Sequence, residues 1–216
     1  MDEKDQDSAV VIGGALAGFL AGVEPLARES VKLALMFAQR ATREVFEKGF
    51  VDDWFEYYFK QLKFLGWDAL PPGRKISEPS RGVVLERVLK TLEQAKSQQF
   101  ADLIERAVRG MRSNPDALSL FDTEARNKGS VIFQFIPCAM QDPGYVDLVL
   151  YQREVVVAES ASSLLYAEKF ESKALLTPHV ELVRFNARGF QQTHQAKVMA
   201  KLGPTLVRSA IAVDVS

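Results

Sequence analysis

Hydrophobic positions recur at helical spacing through most of residues 1–128, and then alternate or run together in short stretches typical of strands. The first helical pattern covers residues 25–48. Val31, Ala34, Leu35, Ala38, Ala41 and Val45 share one face, and Arg28, Lys32, Arg43 and Glu47 fall on others. Pro25 suits the first helical position, where a missing N–H costs nothing, and Gly49 is a natural stop. Residues 51–67 give a second helical pattern whose stripe is Val51, Trp54, Phe55, Tyr58, Leu62 and Leu65, with Asp52 and Asp53 in the first turn. A long amphipathic pattern over 81–111 is carried by Leu85, Val88, Leu89, Leu92, Phe100, Leu103, Ile104, Val108 and Met111, and residues 97–99 mark a bend or an exposed polar turn in it. Asn114 followed by Pro115 predicts the start of a short helix that ends near Asn127 or Gly129. Between the second and third patterns, the Pro-, Gly- and Ser-rich stretch 70–80 reads as a linker.

After Gly129 the texture changes. Residues 131–136 (VIFQFI) are apolar on both faces, as in a central strand. Residues 145–158 read as one long or bulged strand, and 164–170 and 180–185 as further strands. Ala196, Val198, Ala200 and Leu202 alternate with polar or longer residues, as do Val207, Ser209, Ile211, Val213 and Val215. Gly203-Pro204 between them is turn chemistry, so the pattern predicts a terminal hairpin. The fold class is therefore α+β, a helical N-terminal half packed with a C-terminal antiparallel β-sheet. The expected organisation is a helical region over 1–128 and a sheet region over 129–216, forming one compact unit.

The segment 9–23, AVVIGGALAGFLAGV, has no polar side chain and fits neither half cleanly. A buried helix, a strand followed by a helix, and a re-entrant segment are the open readings. It is short for a helix that spans a bilayer, which needs roughly 20 apolar residues. Its start resembles the strand–turn–helix of a flavin- or nicotinamide-binding Rossmann domain. However, Ala15 stands where the middle glycine belongs, and Pro25 interrupts the following helix. The alternating strands and helices of that fold do not follow. No cofactor is expected. Read instead as a helix, the segment is a glycine zipper, with Gly14, Gly18 and Gly22 four apart along one side and Phe19 beside them.

Charge removes some partners. Residues 1–128 carry 19 basic and 20 acidic side chains, and residues 129–216 carry 8 of each, so neither half offers the basic surplus of a nucleic-acid surface. A single cysteine, Cys138, precludes an intrachain disulfide and fits a reducing compartment. The acidic start, Met-Asp-Glu-Lys-Asp-Gln-Asp, lacks the positive region of a secretory signal, so the expectation is cytoplasmic, with export by an uncleaved route left open.

Catalytic resources are sparse. His179 and His194 have no second ligand at metal spacing, and nothing in the sequence brings either to Cys138. The carboxylates at Asp52, Asp53, Glu168 and Glu171 sit where solvated helix starts or strand faces carry charge anyway. No metal site and no catalytic residue is assigned. The aromatic run Trp54, Phe55, Tyr57, Tyr58, Phe59, Phe64 and Trp67 is the other concentrated feature. Such a run chiefly fills cores, but it also serves contacts. The leading expectation is a non-enzymatic interaction protein acting through self-association, partner docking or membrane contact. The contact residues would be Gly14, Gly18, Phe19, Gly22, Trp54, Tyr57, Phe64 and Trp67. The alternative is a domain that binds a small apolar ligand or lipid between the aromatic helix and the sheet, and an enzyme is third.

Overall fold

The computed structural model describes residues 6–71, 83–127, 130–156, 178–203 and 210–216, together with Leu165. The Gly-rich segment forms a β-hairpin inside the sheet, away from its edges. Strands β1 (Ser8–Ile12) and β2 (Ala15–Phe19) pair antiparallel, from Ser8 opposite Phe19 to Ile12 opposite Ala15. The turn is Gly13-Gly14, with Gly13 at φ 55°, a conformation that a residue with a Cβ rarely adopts. The helical glycine zipper is thus corrected. Each glycine in a helix interior costs about 1 kcal/mol relative to alanine, whereas here strands on both sides satisfy the backbone. The glycines still permit close approach, but from the sheet to the helices covering it. A Cβ on Gly18 would lie 2.9 Å from the Leu103 side chain, and one on Gly14 would lie 3.0 Å from Ala125 Cα. Gly22, at φ 92°, is in the loop that follows β2.

Helices α1 (Pro25–Glu47) and α2 (Trp54–Phe64) follow, then the short strand β3 (Trp67–Ala69). The helix expected over 51–67 is shorter at both ends. Asp53 caps it instead of lying in its first turn, accepting from Glu56 N at 2.8 Å, and Trp67 belongs to β3. The pattern over 81–111 divides at Lys96 and Ser97 into α3 (Val84–Ala95) and α4 (Gln98–Arg112). Helix α5 (Pro115–Ala125) is capped by Asn114, whose side chain accepts from Ala117 N at 3.1 Å.

The later strands are β4 (Arg126–Asn127), β5 (Ser130–Ala139), β6 (Tyr145–Val155), β7 (His179–Asn186) and β8 (Ile211–Val213). Between β7 and β8 lie α6 (Ala187–Thr193) and α7 (Gln195–Leu202). The terminal hairpin is therefore also corrected, because its first arm is α7. The alternation there rested on alanines. Val198 and Leu202, the buried residues, are four apart, which is helical spacing. Gly203, at φ 75°, caps the helix, and β8 pairs with β1 instead. Most of the linker over 70–80 and the strand expected over 164–170, apart from the buried Leu165, lie outside the described residues, as does Pro204.

One sheet has the order β3-β7-β6-β5-β2-β1-β8, with β4 pairing the start of β5. All pairings are antiparallel except β2 with β5, so the sheet is mixed. It draws β1 to β4 from residues 1–128 and β5 to β8 from 129–216, which interleaves the two halves. Helices pack on both faces. Val10, Ile12, Ala17, Ile136, Leu148 and Phe185 face α1, α2, α6 and α7, while Val11, Leu16, Phe133, Phe135 and Tyr151 face α3, α4 and α5. This double coverage explains why β5 is apolar on both faces. The exception on its α1 side is Gln134, which is 1% exposed.

Candidate binding site

The Gly13-Gly14 turn emerges at one end of the sheet between the C-terminal half of α1 and the end of α5. An open groove of about 620 Å³ lies there, walled by Met36, Gln39 and Arg43 of α1 and by Leu120 and Glu124 of α5, with Ile12 and Gly13 at its base. A smaller recess of about 30 Å³ adjoins it, lined by Gly14, Gln39, Phe46, Trp54, Ile132 and Gln134. That is room for no more than a water or two. Gln39, Arg43 and Glu124 border both hollows.

The helical repeat of α1 brings Met36, Gln39 and Arg43 to one side, three and four residues apart. Arg43 bridges the cleft. Its Nη1 donates to the Glu124 carboxylate, and its Nη2 donates to the Glu124 backbone oxygen at 2.7 Å. Gln39 Nε2 donates to Ile12 O at 3.2 Å and to Gln134 Oε1 at 3.4 Å. Gly13 has no side chain, and this leaves room for Gln39 Oε1 above it. Gln134 Nε2 donates to Gln152 Oε1 at 2.7 Å, and those two residues are cross-strand neighbours on β5 and β6. Their amides form a polar row that runs from the cleft into the core, with both residues at most 2% exposed. Buried amides are costly unless paired, so the row is held by mutual hydrogen bonding.

Tyr58 of α2 lies over this row. Its ring stacks on Trp54 at 4.7 Å. Burial pushes its phenol far above the ordinary range, and the neighbouring Gln134 amide opposes that shift in part. The hydroxyl makes no hydrogen bond of normal geometry. Gln152 is in turn opposite His179 on β7, whose ring stacks on Phe55 at 4.1 Å. Amides and a guanidinium recognise by donating and accepting hydrogen bonds. Neither exchanges protons near neutral pH.

The residues expected from sequence to make contacts are dispersed. Gly14 and Trp54 meet at the recess. Gly18 and Phe19 lie in β2, Phe19 buried with Arg28 over its ring, and Gly22 is in the following loop. Tyr57 is half-buried, and Trp67 is buried against Phe185. Phe64 is 68% exposed at the end of α2, with the His194 ring 5.2 Å away. Cys138 is buried, and burial raises its thiol pKa well above the ordinary value. Its hydrogen bond goes to Ile136 O at 3.4 Å. The space between the aromatic helix and the sheet is filled by Phe55, Tyr58, Leu62 and Trp67. Among the described residues no group of three or more His, Cys, Asp or Glu side chains is placed to hold a metal ion. Glu168 and Glu171 lie outside the described residues.

Sequence reasoning missed Gln39, Arg43, Glu124, Gln134 and Gln152 as site residues. For Gln134 and Gln152 a signal existed, since each interrupts an otherwise apolar stretch of strand (VIFQFI and LVLYQ). No protein-family model matches the chain, and neither does any curated protein or solved structure.

Proposed function

We infer that this chain is a binding protein without catalytic chemistry of its own, and that its ligand seats in the cleft at the Gly13-Gly14 end of the sheet. The observation that carries this reading is the groove of about 620 Å³ backed by the amide row in which half-buried Gln39 meets the buried Gln134 and Gln152. Its size lies in the range of small-molecule sites, and its lining combines Met36 and Leu120 with the polar side chains of Gln39, Arg40, Arg43, Glu44, Glu47 and Glu124. The cysteine and the two histidines are not among the groove's lining residues, with Cys138 buried, His179 against Phe55 and His194 against Phe64 and Phe190. The test exploits the chain's two tryptophans, because Trp54 lines the recess and Trp67 is buried elsewhere. Polar compounds of small molecular weight are titrated while tryptophan emission is followed in the wild type and in Trp54→Phe. A response that vanishes with Trp54 supports the cleft. A compound whose amide NMR perturbations map instead to α6 and α7 refutes it.

A second reading, docking of a protein partner or a second copy, is favoured by Phe64, whose ring is 68% exposed on the aromatic helix. It predicts that Phe64→Ser lowers self-association in sedimentation equilibrium. Membrane contact would need a different surface from the one first expected. The segment 9–23 is the sheet's inner hairpin, and no described helix is long and apolar enough to cross a membrane.

A further inference from the structure

We propose that the cleft takes a small ligand carrying a carboxylate, which replaces the Glu124 side chain on Arg43, with the ligand's apolar body lying in the groove over Met36 and Leu120. This rests on the cleft being a binding site. The Arg43–Glu124 bridge already shows a carboxylate seated on that guanidinium at the junction of groove and recess. The two bonds it makes are not equivalent. The Nη2 bond to the Glu124 backbone oxygen, 2.7 Å long, holds the guanidinium in place when the side chain swings away, so Nη1 is presented to an incoming anion without losing its orientation. The side-chain bond is replaceable, because the two side chains are 41% and 33% exposed and such a pair contributes little to stability.

The other charges of the groove are engaged differently. Arg40 donates to the carbonyl oxygens of Lys201 and Leu202 at 3.1 and 3.3 Å, which ties it to the end of α7. Glu44 is paired with Lys48 at 3.1 Å, and Glu47, one turn from Arg43, also lines the groove. Arg43 is thus the groove's cation whose carboxylate partner can leave while a second bond keeps it aimed. The ligand's body must extend on the groove side, because the recess of about 30 Å³ admits nothing larger than water. Along the groove the carboxylate meets Arg43, and the remainder meets Met36 and Leu120. A medium-chain fatty carboxylate has this pattern.

The experiment titrates hexanoate, and its neutral counterpart hexanamide, into the full chain and follows the Gly13 and Gly14 amide signals by NMR. Hexanoate is expected to shift both signals and to bind at least about tenfold more tightly than hexanamide, as a charge-assisted bond requires. Glu124→Gln removes the internal competitor and is expected to tighten hexanoate about fivefold. Arg43→Gln is expected to lose the preference for hexanoate. These opposite signs separate the proposal from a merely structural pair, for which both variants would weaken binding. Equal affinity for the two probes, or weaker hexanoate binding in Glu124→Gln, overturns the carboxylate assignment but leaves the cleft standing as a neutral-ligand site. Absence of any hexanoate shift also overturns it, and the cleft reading falls as well only if the tryptophan titrations fail too.

Discussion

Replacing Gly110 by alanine gives a prediction whose sign is informative. Gly110 lies in α4, and in an exposed helix interior this substitution stabilises a protein by about 1 kcal/mol. Here a Cβ would overlap the backbone oxygen of Asp214, which follows β8. Backbone cannot yield by a rotamer change, so the C-terminal segment must shift off α4. Val213 and Val215 are both buried against the α4 side of the sheet, and complete exposure of each would forfeit about 1.5–3 kcal/mol. Arg106 Nη1, which donates to Val215 O at 2.8 Å, would lose that partner too. Even partial undocking outweighs the gain in helix propensity, and the net expectation is a loss of about 2 kcal/mol. Urea unfolding of wild type and Gly110→Ala at neutral pH measures the difference directly. The same substitution in a chain truncated after residue 210 should be stabilising by about 1 kcal/mol, because the obstacle is gone. A stabilised Gly110→Ala in the full-length chain would refute the close approach of the C-terminal segment, and with it the seat of β8 on β1.

Other outcomes follow from the same geometry. Deleting residues 1–23 removes the inner hairpin and is expected to abolish cooperative folding, seen as a lost near-ultraviolet circular dichroism signal; a folded truncated chain would contradict the strand order. Asp147 is held below the ordinary carboxylate range chiefly by its hydrogen bond to Arg184, at 2.7 Å, and also by Lys96. Its contribution is therefore complete above the unfolded value of about 3.9 and disappears as pH falls through the lower folded value, so Asp147→Asn should lower the urea midpoint at pH 7 more than at pH 3. Gln134→Leu leaves the Gln152 carbonyl and the Gln39 amide without their partner and should cost about 1–3 kcal/mol by thermal or chemical denaturation. Cys138 should resist a thiol-specific disulfide reagent in the native state and react once unfolded; rapid native labelling would contradict its burial.

Much of the architecture was legible where local chemistry and tertiary demand agree. Asn114 with Pro115 starts α5, Gly49 follows α1, and the doubly apolar VIFQFI lies in a strand covered on both faces. The segment 9–23 was ambiguous because uniform apolarity carries no period. Its Gly13-Gly14 pair is a two-residue hairpin signal, yet Gly14, Gly18 and Gly22 also satisfy a helical repeat, and only the strands on either side decide between them. Residues 196–202 misled for the opposite reason, since alanines supplied a period of two that was not a pattern of burial. The parallel pairing of β2 with β5 is longer-range still, set by residues more than a hundred positions apart.

The cleft was the least legible part, and its composition explains why. Arg43 and Glu124 look like ordinary solvated helix residues in isolation, and their meaning depends on two helices from opposite faces of the sheet converging at one turn. Gln134 and Gln152 were more accessible to reasoning. A central strand with apolar residues on both faces gives an amide no solvent, so a glutamine there must find a polar partner within the fold. Two such glutamines in neighbouring strand patterns imply that they meet, and their pairing at 2.7 Å fixes the register of β5 against β6. Gln39, from the covering helix, extends that pairing outward to Ile12 and the turn, so the amide row that satisfies the core also ends at the cleft.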